Sequence, residues 1–135
     1  MTGVVLDASA VLAWVLEEER GVAEQVDAAL SAREAHPLTV PALFTAEVSN
    51  ALRMATRRVR LTAAQAQQAA AIVDALAIST DAAPYNTAAL LTLASTHELT
   101  AYDALYLDLA MRLGARLVTQ DGALRVAAQR AGVPL

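Results

Sequence analysis

The stretch Val4-Val5-Leu6-Asp7-Ala8-Ser9 decides how the rest of the chain reads. Three apolar, β-favouring residues come first, then a carboxylate, then a small hydroxyl residue at the start of a helical pattern. A run this short and unbroken suits a strand buried on both faces, as in a parallel sheet. Open α/β folds bind ligands in the crevice at the carboxyl ends of such strands, which puts Asp7 at a functional rim. Asp and Ser are also good N-caps. From this stretch alone, capping of the next helix and a role at the rim weigh about equally.

Working outward, strands and helices alternate, the pattern of an α/β domain with a mostly parallel sheet. A helix is expected over Ala8–Glu17 and a second over Val22–Glu34, with Val22, Val26 and Leu30 at helical spacing. Leu38–Val40 reads as a strand that Pro41 ends, followed by a helix over Ala42–Val59. Thr62 is placed to cap a helix that runs through Leu76. Ala77–Thr80 reads as a third short strand, Asp81–Pro84 as a turn and Tyr85–His97 as a helix. Another helix opens over Thr100–Asp103 and ends near Gly114. Arg116–Thr119 is the fourth strand, and a last helix after Gly122 reaches Arg130. Val133–Leu135 offers an optional edge strand. The expected architecture is a three-layer α/β/α sandwich around a four- or five-stranded sheet.

The length of 135 residues fits a single domain, 1–135, large enough to need no disulfide or zinc staple. There is no cysteine, which excludes thiolate chemistry and cysteine–zinc sites. No signal peptide is evident, and no apolar run approaches the roughly 20 residues that span a bilayer. The expectation is a cytoplasmic protein without membrane contact. The net charge of −4 argues weakly against nucleic-acid binding by bulk positive charge. It does not argue against a protein whose metal ions offset clustered acids. All ten basic residues are arginine.

Three more carboxylates stand in settings like that of Asp7. Glu47 interrupts a helix face shared with Leu43, Phe44 and Ala51, since neighbours three and four apart lie together. A buried carboxylate without a partner is costly and tends to take up a proton. The alternatives for Glu47 are a metal ion, or a hydrogen bond from Asn50 or an arginine of another element. Asp103 opens a helix whose inward stripe continues through Tyr106, Leu107 and Ala110, and Thr100 is placed to form a capping box with it. Asp121, two residues past the fourth strand, can turn the chain, cap the next helix or meet Asp7 at one edge of the sheet. Asp108, four residues before Arg112, reads as an exposed ion pair instead. Four acids gathered closely raise one another's pKa. Magnesium and manganese, which prefer oxygen ligands, relieve that repulsion. His36 and His97 read as exposed or structural residues, and Trp14 as core.

These pieces together resemble a PIN-domain ribonuclease, in particular a VapC-like toxin of a type II toxin–antitoxin pair. The resemblance spans the chain. It rests on Val5-Leu6-Asp7-Ala8-Ser9, on Pro41-Ala42-Leu43 leading to Glu47-Val48-Ser49-Asn50-Ala51-Leu52, on Tyr102-Asp103-Ala104-Leu105-Tyr106-Leu107 and on Leu117-Val118-Thr119-Gln120-Asp121. It implies that Asp7, Glu47, Asp103 and Asp121 form an acidic quartet. Asp7 and Asp103 would be the central ligands of Mg2+ or Mn2+, and Ser9 and Thr119 would orient the acids. It also implies RNA cleavage, a homodimer and a small VapB-like antitoxin as partner. Arg53, Arg57, Arg58 and Arg60 form a cluster that either binds RNA phosphates or is a solvated helix end.

Other readings compete. A receiver domain requires a lysine beside its acidic pocket, and the chain has none. A haloacid-dehalogenase-like phosphatase requires an aspartate where Ser9 stands. A catalytically idle module that only binds its antitoxin, and a housekeeping RNA-processing nuclease, both remain open at the level of sequence.

Overall fold

The computed structural model describes residues 3–135. Four strands, β1 (Val4–Leu6), β2 (Leu38–Pro41), β3 (Ser79–Asp81) and β4 (Arg116–Val118), form one sheet in the order β3-β2-β1-β4. Each pairing is parallel. Seven helices complete the described residues: α1 (Ala8–Val15), α2 (Arg20–Ser31), α3 (Phe44–Arg57), α4 (Ala63–Asp74), α5 (Thr87–Thr96), α6 (Ala101–Leu113) and α7 (Gly122–Ala131). Parallel crossovers are right-handed. The path β1→β2→β3 advances one way and then returns past β1 to β4, so α1–α4 and α5–α6 cover opposite faces. The result is the expected α/β/α sandwich.

The first strand is central because its residues tolerate burial on both faces: Val5 and Leu6 are fully buried. Tyr106, Leu107 and Leu109 of α6, Leu117 of β4 and Leu124 of α7 are buried as completely, in one core with β1. The direction in which strands are added to the sheet reverses between β1 and β4. In open α/β sheets that switch point, at the carboxyl ends of the strands, opens a crevice. Register decides what meets there. Leu6 pairs with Val118, so the next residues, Asp7 and Thr119, emerge side by side, and Asp7 N donates to Val118 O at 2.9 Å.

The helices begin near where periodicity puts them, and several stop sooner. α1 ends at Val15, α3 at Arg57 and α4 at Asp74, each two residues short of the expected Glu17, Val59 and Leu76. Glu17 and Val59 adopt positive φ, a conformation that breaks an α-helix. α6 closes as expected on Gly114, whose φ of 59° suits a residue without a Cβ. Thr62 caps α4 with a reciprocal capping box to Gln65. The third strand is displaced to Ser79–Asp81, and Pro41 joins β2, paired with Asp81. No fifth strand forms at Val133–Leu135. The tail instead supplies one acceptor, Pro134 O, to Leu117 N at 2.9 Å, satisfying an amide on the edge strand. Trp14 is half-buried, and its indole N–H donates to Asp27 at 2.7 Å; the amphipathic ring keeps its polar end at the surface.

Candidate active site

The four acids reach one end of the molecule by four routes. Asp7 follows β1 at the N-cap position of α1, and Asp121 follows β4 at the N-cap of α7. Glu47 lies in the first turn of α3 and Asp103 in the first turn of α6. Every one therefore stands at a helix N-terminus, where the backbone dipole favours negative charge.

Asp7 does not use its side chain to cap α1. The carboxylate is 4 % exposed, and its Oδ2 accepts from Ser9 Oγ at 2.6 Å and Thr119 Oγ1 at 2.7 Å. Each hydroxyl has one proton, and both protons are committed to Asp7. Their oxygens in turn accept backbone amides: Gln120 N donates to Ser9 Oγ at 3.1 Å, and Asp121 N to Thr119 Oγ1 at 3.0 Å. Asp7 thus anchors the loop that carries Asp121. Burial pushes the Asp7 carboxyl above its ordinary value; the two hydroxyls pull it down, and Asp121 pushes it up again.

Asp121 caps α7 through Leu124 N, which donates to Oδ2 at 2.8 Å. Glu47 is partly buried, and the partner that holds it is neither Asn50 nor an arginine. Tyr106, fully buried, donates its hydroxyl proton to Glu47 Oε1 at 2.6 Å. Burial raises the Glu47 carboxyl, the tyrosine lowers it, and the charges of Asp7 and Asp103 raise it. Thr100 accepts the Asp103 amide at 3.1 Å, and the same hydroxyl pulls the partly buried Asp103 carboxyl down. Burial first, then Asp121 and Asp7, push the Asp103 carboxyl up to about 6.

The acids therefore sense one another's charge, as the sequence leads one to expect, but they are not crowded into a cage. Among the described residues, no three Asp, Glu or His side chains are arranged so as to hold a metal ion by themselves. A pattern in the hydrogen bonds matters more. Asp7, Glu47 and Asp121 each commit one oxygen to protein donors, so the second oxygen of each is left without such a donor among the described residues. An all-oxygen, partly hydrated set of this kind suits Mg2+ or Mn2+. Magnesium keeps several waters and takes only one or two carboxylates directly.

Arg53, Arg57, Arg58 and Arg60 are exposed at the far end of α3. A helical rise of about 1.5 Å per residue puts Arg57 about 15 Å along the axis from Glu47. Arg60 pairs loosely with Glu18 at 3.5 Å. Two side chains near the acids escaped the sequence reading. Tyr106 was visible only as part of an apolar stripe, because its partner lies 59 residues away. Arg125 donates to Thr119 O at 3.3 Å from one turn into α7.

A parallel sheet with acids at its switch point, held by hydroxyls and helix ends, defines a class of acid-lined α/β proteins suited to divalent metal ions. The PIN domain model matches residues 4–129, and the chain belongs to that family. PIN domains are typically nucleases that act on RNA and generally use divalent metals. The chain is also similar to the crystal structure of PAE2754 from Pyrobaculum aerophilum. The TM-score is 0.73 at 28 % identity, over 93 % of this chain and 86 % of that one. No curated protein matches. Among the described residues, no helix is long and apolar enough to cross a membrane.

Proposed function

We propose that this chain is a single-domain, Mg2+- or Mn2+-dependent ribonuclease that serves as the toxin of a type II toxin–antitoxin pair. It would act as a homodimer and be restrained by a small VapB-like antitoxin. The observation that carries the nuclease reading is Asp7: a buried carboxylate anchored by Ser9 and Thr119 at the switch point, in the field of Asp103, Asp121 and Glu47. Asp7 and Asp103 are the central metal ligands in this reading, and Glu47 and Asp121 complete the set directly or through water. The ion, when bound, supplies a Lewis acid for water activation and for the charge that builds on the phosphate. Ser9 and Thr119 orient Asp7 and keep one of its oxygens out of the reaction. Arg53, Arg57, Arg58 and Arg60 are positioned to take phosphates further along an RNA strand.

Structured RNA incubated with the chain and Mg2+ is expected to be cut, and a chelator is expected to stop the cutting. Asp7→Asn is expected to abolish cleavage while leaving the fold intact. Full activity in that variant refutes the role of Asp7. One observation favours the idle, antitoxin-binding module instead: no closed three-acid cluster forms among the described residues. Failure of the wild-type chain to bind Mn2+ at millimolar concentration would decide for it.

A further inference from the structure

Among the described residues, Tyr106 is the one fully buried side chain whose polar atom reaches a member of the acidic quartet from the α6 side of the core. It sits three residues after Asp103, on the same helix face. Its hydroxyl crosses to α3 and meets Glu47 Oε1 at 2.6 Å. Asp7 and the Ala8 amide also lie close enough to act on the phenol. The ring thus touches the surroundings of three of the four acids. Glu47 needs such a partner more than the others. It is the longest of the four acids and has the most rotatable bonds. It lies in the first turn of α3 without serving as a cap, and no other side-chain donor reaches it among the described residues.

Resting on the proposed function, we infer that Tyr106 is a positioning residue. Its buried hydroxyl pins one oxygen of Glu47 and so aims the other at the ion held between Asp7 and Asp103. The hydroxyl has one proton, which goes to the carboxylate in a short, charge-assisted bond. The phenol is gripped on all sides by the core, so the bond fixes the glutamate and not the tyrosine. Without it, Glu47 is free to swing toward solvent along the exposed flank of α3, and the ion loses an oriented ligand. Groups that orient metal ligands typically change metal affinity or activity by about 10- to 100-fold when removed.

The test compares wild type, Tyr106→Phe, Glu47→Ala and the double variant. Phenylalanine fills the same space, so thermal melting should still be cooperative in Tyr106→Phe. Free Mn2+ is measured by paramagnetic resonance, which does not depend on turnover, and the Mg2+ concentration for half-maximal RNA cleavage is measured beside it. Tyr106→Phe is expected to weaken Mn2+ binding about tenfold or more and to raise the Mg2+ requirement. Adding it to Glu47→Ala is expected to change neither. A merely structural tyrosine would make the two effects additive, and that result overturns the inference. So does wild-type Mn2+ affinity in Tyr106→Phe, while an active, metal-binding wild type leaves the proposed function standing. If the wild type binds no Mn2+ and cuts no RNA, the proposed function falls and the inference falls with it. Glu47→Ala leaves the buried Tyr106 hydroxyl without its acceptor, so thermal melts of that variant and of the double variant, which removes the orphaned hydroxyl, are read beside the metal titrations.

Discussion

Replacing Asp7 by asparagine should abolish cleavage and at the same time stabilise the metal-free protein. The carboxylate is 4 % exposed. Taking a charge out of water carries an effective cost of several kcal/mol. Two short hydroxyl bonds offset part of it. A hydrogen bond to a charged acceptor contributes about 1.5–3 kcal/mol and a neutral one about 0.5–1.5, so weakening both bonds costs about 2–3 kcal/mol. Asparagine keeps an oxygen where Ser9 and Thr119 donate and removes the desolvated charge and the repulsion from Asp121. The direction of the pKa shift decides the balance: it is upward, so burial outweighs the hydroxyls. A net gain of about 1–2 kcal/mol is expected, in the range typical when a functional site is relieved of strain. For a domain of this size that is about 3–8 °C in Tm.

The pH dependence gives the control. A carboxyl whose folded pKa lies above its unfolded value destabilises the fold once it is ionised, above the folded pKa. It costs nothing when protonated in both states, below the ordinary aspartate value of 3.8. Melts in chelator should therefore show the asparagine advantage at pH 7.5 and its loss on approaching pH 3.8. A lower Tm for the variant at pH 7.5, or an advantage of equal size at both ends, would refute the reasoning.

Metal affinity should fall as acid protonates Asp103. With its carboxyl near 6, Mn2+ binding should be about tenfold weaker at pH 5 than at pH 7.5, and a pH-independent titration would remove Asp103 from the metal site. In the metal-free chain the same shift makes stability decline as pH rises from about 4 to about 6, because the folded state holds that proton more tightly. Thr119→Val should cost about 1–3 kcal/mol, since it leaves Asp121 N without its acceptor and Asp7 without a donor. It should also push the acid limb of the cleavage profile to higher pH, and an unmoved limb would count against Thr119 as an orienting group. Neutralising Arg57 and Arg58 together should weaken RNA binding and reduce the log–log salt slope by about 1.4, at about 0.7 per single-strand phosphate. An unchanged slope would return them to the solvated helix end.

What could be read in the sequence depended on whether the information was local. Val4-Val5-Leu6 announces a buried strand because burial on both faces leaves no polar alternation. Asp7, Asp103 and Asp121 stand out because each sits where a strand ends or a helix starts, and Glu47 because it interrupts an apolar helix face. The hydrogen bonds from Tyr106 to Glu47 and from Thr119 to Asp7 are long-range; spacing hints at Thr119, whose strand ends beside that of Asp7, but nothing local names the tyrosine. The third strand is the opposite case. Ser79–Asp81 is largely exposed, and its strand character comes from pairing with Thr39–Pro41 rather than from apolar residues of its own. Val133–Leu135 has the composition of a strand but meets only one amide of β4. Arg112 was legible as the partner of Asp108 and no more. It also donates to Asp81 at 2.7 Å and to the Tyr85 hydroxyl at 3.0 Å, tying the sheet edge to α6 across a gap in sequence that no periodicity crosses.

The four acids do not face an otherwise neutral cleft. Each rests against the amino end of its own helix, and each such end acts as a partial positive charge of roughly half a unit. The backbone thus acts as a permanent stand-in for the cation, weaker than the ion itself but never lost to dilution or chelation. The fold thus carries part of the compensation for its four acids within itself, before any ion is considered.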